Sequence, residues 1–168
     1  LSNADLSHAN LIDTNLNSAD LIHANLSYAN LFGADLRFAI LPITNLLGAE
    51  LSYTNLSDAN LINTNLSYAN LSGAKLINSD LKFADLSHAN LTNTYLISVN
   101  LFYANLSDVN FTGAYLMSAN LTHTNLSNAN FTDTNLLGID FTGANLTHIN
   151  LNNAKLHNVI LKFVKYLD

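Results

Sequence analysis

The sequence predicts an all-β fold, a parallel β-helix or solenoid of about eight twenty-residue coils wound around a solid core. Three observations carry this. Leucine or phenylalanine occupies every fifth position from Leu1 to Leu161, 33 units without a slip. All six glycines fall on the second residue after that position, and the sole proline, Pro42, falls on the first. Finally, residues taken twenty apart form columns with their own preferences.

A period of five matches neither a helical stripe at 3.6 nor simple strand alternation at 2. Within one unit, however, the residue two before the Leu/Phe centre is small: Ala4, Ala9, Thr14, Ala19, Ala24. A polar residue stands between: Asp5, Asn10, Asn15, Asp20. Small, polar, centre is one stretch of period two, so the small residue and the centre share the inward face and the polar residue points out. The next two residues turn the corner. Proline first and glycine second are the preferences of the two central residues of a type II turn. Leu41, before the proline, is then extended.

Four such sides close one coil. Every twentieth residue from Thr14 reads Thr14, Ala34, Thr54, Ala74, Thr94, Ala114, Thr134, Ala154, a strict alternation. Serine dominates another column (Ser7, Ser27, Leu47, Ser67, Ser87, Ser107, Ser127, Thr147), and asparagine a third (Asn10, Asn30, Glu50, Asn70, Asn90, Asn110, Asn130, Asn150). Both are expected to be stacked hydrogen-bonding ladders. In the core, Phe111 and Phe131 are expected to stack directly. The small column widens toward the C-terminus through Val99, Val109, Ile139, Ile149, Val159 and Val164, a repacking rather than a ligand cavity.

Units such as Ala24-Asn25-Leu26-Ser27-Tyr28 and Ala69-Asn70-Leu71-Ser72-Gly73 resemble the A(D/N)LXX signature of the pentapeptide repeat family, over residues 1–165. The resemblance implies a right-handed quadrilateral β-helix. Residues 166–168 are expected to be a C-terminal tail or cap. Strand edges at the ends of a solenoid invite pairing, so a homodimer through one end is an expected assembly. The chain opens in register at Leu1 with neither Met nor a basic-then-apolar leader, and its N-terminus is expected to be processed or trimmed.

Chemistry is sparse. No cysteine is present, which removes disulfides and thiolate ligands. The histidines, His8, His23, His88, His123, His148 and His157, occupy corners and none is vertically adjacent to another; they are read as solvated, with no metal site and no cofactor. Ser, His and Asp neighbour one another only as ridge residues, as in Asp85-Leu86-Ser87-His88, without an elbow, oxyanion turn or cleft. The glycines form neither a dinucleotide fingerprint nor a P-loop. The expectation is that the protein is no enzyme and has no catalytic residue. No apolar run approaches the length of a membrane-spanning helix. Twelve acids against six Lys and Arg give a net charge of −6 and argue against direct nucleic-acid binding.

Two readings of function follow. Some quinolone-resistance members of the family resemble a DNA duplex in shape and charge and bind DNA gyrase, so one reading is a DNA-mimic regulator of such an enzyme. The acids, however, are spread over all four sides. The other reading starts from an unusual corner column: Asn17, Arg37, Ser57, Ile77, Ile97, Met117, Leu137, His157. Four large apolar residues follow one another where polar residues are usual. Tyr95 and Tyr115 replace the outward Asn/Asp of the same strands. Ile77, Tyr95, Ile97, Tyr115, Met117 and Leu137 therefore make one apolar patch of a few hundred Å², flanked by Lys75 and Lys155, and a patch of that size marks an interaction site. The preferred reading is a scaffold presenting rigid surfaces to a protein partner.

Overall fold

The computed structural model describes residues 1–166; the last two residues of the expected tail lie outside them. Every fifth residue from Asp5 to Asn145 forms a parallel bridge with the residue twenty positions on, as in Asp5 with Asn25 and Asn145 with Lys165. Four bridge columns thus run the length of an all-β solenoid. Each bridge sits on a three-residue strand of small, polar and centre residues. Its backbone groups are shared with both neighbours: Asn25 N–H donates to Ala4 C=O at 2.9 Å, and Leu26 N–H to Asn45 C=O at 2.7 Å.

The corners have the expected sign pattern. The small residue's N–H closes back on the preceding centre's carbonyl, as Ala29 does to Leu26 at 3.1 Å, and φ is positive at the second corner residue throughout the repeat. Most of these residues are not glycine. Even Ile43 sits at φ 60°, a conformation costing on the order of 1 kcal/mol for an L-residue. The inter-coil bonds offset it, since the second corner residue's N–H also donates to the next coil, as Ile43 does to Ile62 C=O at 3.1 Å.

The glycines answer to packing as well as to φ. Second-corner side chains lean along the rod onto the residue twenty on. A Cβ at Gly48 would stand 2.6 Å from the ring of Tyr28, and one at Gly73 2.8 Å from that of Tyr53. Gly33 lies under Asp13, Gly113 under Asn93 and Gly143 under His123 in the same way.

Inside, the Leu/Phe centres from Leu16 to Leu146 and the small residues from Ala24 to Ala144 are buried. Phe111 and Phe131 stack with centroids 4.8 Å apart and planes within 2°. Threonines in the small column each find a carbonyl: Thr44 Oγ1 donates to Leu21 O at 2.7 Å, Thr94 Oγ1 to Leu71 O at 3.1 Å. No buried side-chain nitrogen or oxygen among the described residues lacks a partner.

Outside, asparagine ladders run along two faces. Asn45 Nδ2 donates to Asn25 Oδ1 and Asn65 Nδ2 to Asn45 Oδ1, at 3.1 and 3.2 Å. A second ladder links Asn150 to Asn130 and Asn130 to Asn110. Each amide also accepts the N–H of its own first corner residue, as Asn65 Oδ1 does from Ser67 at 3.1 Å. The donor always belongs to the later coil, so an acid can begin a run but cannot pass it on; Asp5, Glu50 and Asp85 all receive an Asn amide this way. The serine column departs from expectation. Its hydroxyls do not stack on one another but fold back onto the local amide, as Ser27 Oγ does to Asn25 Oδ1 at 2.8 Å. A serine side chain is too short to span neighbouring coils about 4.8 Å apart.

Candidate interaction surface

One bridge column has lost its amide ladder. It runs Asn55, Lys75, Tyr95, Tyr115, Asn135, Lys155. The two tyrosines replace amide-to-amide hydrogen bonds with ring stacking, centroids 4.9 Å apart and planes within 8°. Beside them on the corner stand Ile97, Met117 and Leu137; Met117 is 64% exposed and Leu137 53%. Ile77 and Ile97 are half-buried. The six patch residues expected from sequence fall on two adjoining columns of one face. Five of them gather tightly, while Ile77 lies one coil before the tyrosine pair.

The patch is not flat. Ile97, Tyr115, Met117, Asn135 and Leu137 line a groove of about 180 Å³ whose floor is the core residue Leu116. Its origin is a parting of two coils. On this face Leu76 N–H bonds Tyr95 C=O and Leu96 N–H bonds Tyr115 C=O, both at 2.8 Å, and Leu136 N–H bonds Lys155 C=O at 3.0 Å. The corresponding bonds from Leu116 to Asn135, from Ser118 to Leu137 and from Asn135 to Ala114 are missing. So is the strand bond from Leu121 to Asp140 on the next side. Gly138, unlike the other glycines, has open space where a Cβ would stand.

The cause lies in the core. Ile139 and Phe141 stand one coil after Ala119 and Leu121, and Phe131 meets Phe141 edge-on at 6.2 Å. Larger inward side chains wedge the strands apart, the usual result of overfilling a packed interior. Widening of the small column therefore produces an outer groove, not an inner cavity.

Two features escaped the sequence reading. On the corner formed by residues 82–83 and their twenty-residue relatives, Phe83, Tyr103 and His123 stack in succession, at 5.9 and 4.9 Å. Phe102 packs edge-on to all three. Reading the second-corner column as Phe83, Tyr103, His123, Gly143 would have found it. The histidines are exposed at the corners as expected, but several also stack on a neighbour: His8 on Tyr28 at 5.3 Å and His88 on Tyr68 at 4.7 Å. Among the described residues no group of His, Asp and Glu converges as metal ligands would, and no helix is long and apolar enough to cross a membrane. At the C-terminal coil, Phe141, Leu146, Leu151, Leu156 and Tyr166 line a second, apolar hollow of about 120 Å³.

Charges are mostly bound into the corners. Hydrogen bonds from Arg37, with its positive charge, hold Asp35 below the usual carboxylate range, and the same pair raises the guanidinium. Burial pushes Glu50 up, but bonds donated by Ser52 and Asn70 outweigh it and leave the carboxyl lowered. Asp5 is lowered by the hydroxyl and N–H of Ser7.

The pentapeptide repeats pattern, in eight copies, matches residues 1–37, 29–67 and 54–93, and the pentapeptide repeat region pattern matches residues 84–161. Among solved structures, the chain is similar to HetL, a pentapeptide repeat protein involved in heterocyst differentiation regulation from the cyanobacterium Nostoc sp. strain PCC 7120. Identity is 27%, covering 98% of this chain and 85% of that one, with a TM-score of 0.61. Full-length QnrB1, a plasmid-mediated fluoroquinolone resistance protein, aligns at 16% identity over 98% of this chain and 90% of its own, with a TM-score of 0.46. No curated protein gives a significant match.

Proposed function

Because this chain belongs to the pentapeptide repeat family, we propose that it acts as a non-catalytic solenoid scaffold which captures a protein partner on its Tyr95–Tyr115 face. In this reading the rod is right-handed and quadrilateral, has about eight coils, and spans residues 1–165, with 166–168 as its tail. The observation that carries it is a coincidence of three features at one place. The amide ladder gives way to stacked tyrosines, four apolar corner residues line up, and the coils part to leave a groove. Apolar, partly concave and aromatic is the composition of an interface centre. Neither the groove nor the C-terminal hollow brings together acid, base and nucleophile side chains as catalysis would need. HetL, a similar solenoid, is involved in regulation, a role that contact alone can perform.

The DNA-mimic reading draws on the family resemblance, the rod shape and the net negative charge. Its carboxylates would need to be free, whereas Asp35 and Asp80 are paired with Arg37 and Lys82, and Asp5, Glu50 and Asp85 serve as acceptors in the ladders. The test is affinity capture from the source organism with the parent protein and with a Tyr95→Ser/Met117→Ser variant. Both side chains are exposed, so the variant keeps its fold. The expected result is loss of a specific captured protein while cooperative unfolding is retained, lowered only by the lost ring stacking; capture indifferent to both substitutions refutes the reading.

A further inference from the structure

The same face carries a charge pattern as well as an apolar centre. Lys75 and Lys155 stand in register at its two ends, with Tyr95, Tyr115 and Asn135 between them. Four coil steps of about 4.8 Å place these positions roughly 19 Å apart along the rod. Arg37 and Lys82 are neutralised by Asp35 and Asp80, at 2.7 and 3.1 Å. Lys75 and Lys155 are exposed, and neither has a carboxylate within ion-pair distance among the described residues. Two acids lie on the bordering corners, where Asp58 accepts the Asn78 amide at 3.2 Å and Asp133 the Asn153 amide at 3.1 Å; both keep their charge, but neither reaches a lysine. On a rod of net charge −6, this face therefore presents an unpaired cation at each end and an apolar middle.

We infer that the partner offers a linear segment with a carboxylate at each end and apolar or aromatic side chains between. This rests on the docking face proposed above and names the chemistry of its occupant. An extended chain advances about 3.3 Å per residue, so the two carboxylates stand about six residues apart. One bulky side chain of the segment fills the groove over Leu116, between Met117 and Leu137, and its neighbours lie against the stacked rings of Tyr95 and Tyr115. The lysines select the segment's charge and fix its register, the usual contribution of rim charges. A segment with basic ends is repelled at both lysines and turned away.

The inference is tested by selecting a displayed library of random linear peptides on the intact protein. Parallel selections use a Lys75→Glu/Lys155→Glu variant and a Met117→Ser/Leu137→Ser variant, all four positions being exposed. The parent is expected to enrich peptides with acids about six residues apart around an apolar centre. The lysine reversal is expected to lower their binding at least tenfold and to favour basic-ended peptides instead. Peptides that need Met117 and Leu137 but have no acidic ends, or that bind the lysine-reversed protein equally well, overturn the charge inference and leave the docking face standing. If the Met117/Leu137 variant enriches the same peptides, or the parent enriches none, the docking face itself falls.

Discussion

The face built on Asn105, Asn125 and Asn145 and the face built on Tyr95, Tyr115 and Asn135 share one backbone repeat, yet they do opposite things with it. On the first, an outward amide such as Asn125 donates to the coil before, accepts from the coil after and holds its own corner. Coil spacing is fixed from outside as well as from the core. On the second, ring stacking replaces the amide bonds, larger core residues press from within, and the coils separate by the width of the groove. A solenoid's regularity is thus maintained locally, coil by coil, and can be relaxed at one place without unwinding the rest. Nearest-neighbour energetics make this possible.

The contrast can be broken by mutation. Asn125→Leu removes one amide donated and three bonds accepted, from Ser127 N–H, Ser127 Oγ and Asn145 Nδ2. At 0.5–1.5 kcal/mol net for each bond, and with water available to the half-exposed partners, it is expected to cost about 2–3 kcal/mol in urea unfolding. Asn135→Leu removes only the bond accepted from Leu137 N–H at 3.1 Å and is expected to cost about 1 kcal/mol. Equal losses at the two sites would erase the distinction.

A smaller effect sharpens the role of the acids that begin ladder runs. The Glu50 carboxyl is lowered in the folded protein, so its contribution to stability is present above the unfolded value, near 4.5, and is lost as pH falls through the folded one. Glu50→Gln retains an acceptor for Ser52 and is expected to flatten that part of the acid limb in calorimetric melts between about pH 5 and 3. An unchanged acid limb would mean that Glu50 is not an ionised ladder terminus.

Much of this was legible in the sequence because the repeat tolerates so little. Only one register buries Leu16 through Leu146; the twenty-residue columns already place Phe111 on Phe131, and Tyr95 and Tyr115 in one outward patch. The sign of φ at the second corner residue followed from Pro42 and six glycines. What stayed hidden depends on neighbours in three dimensions. The groove arises because Ile139 and Phe141 outsize Ala119 and Leu121 one coil away; the columns display these steps in volume, but not that the backbone yields outward to accommodate them. The serines' bonds depend on side-chain reach, and Gly48 or Gly143 is explained only once Tyr28 and His123 are seen leaning over it.

The most direct measurement is native-state amide hydrogen exchange resolved to single residues. Leu106 and Asp108 N–H are bonded to Asn125 and Ser127 carbonyls at 2.7 and 2.9 Å, whereas Leu116 and Ser118 N–H have no partner in the next coil. Exchange at Leu116 and Ser118 is expected to be at least tenfold faster than at Leu106 and Asp108, and to slow when a ligand fills the groove. Equal protection at all four amides would mean that the coils are sealed on every side and that no groove exists to be filled.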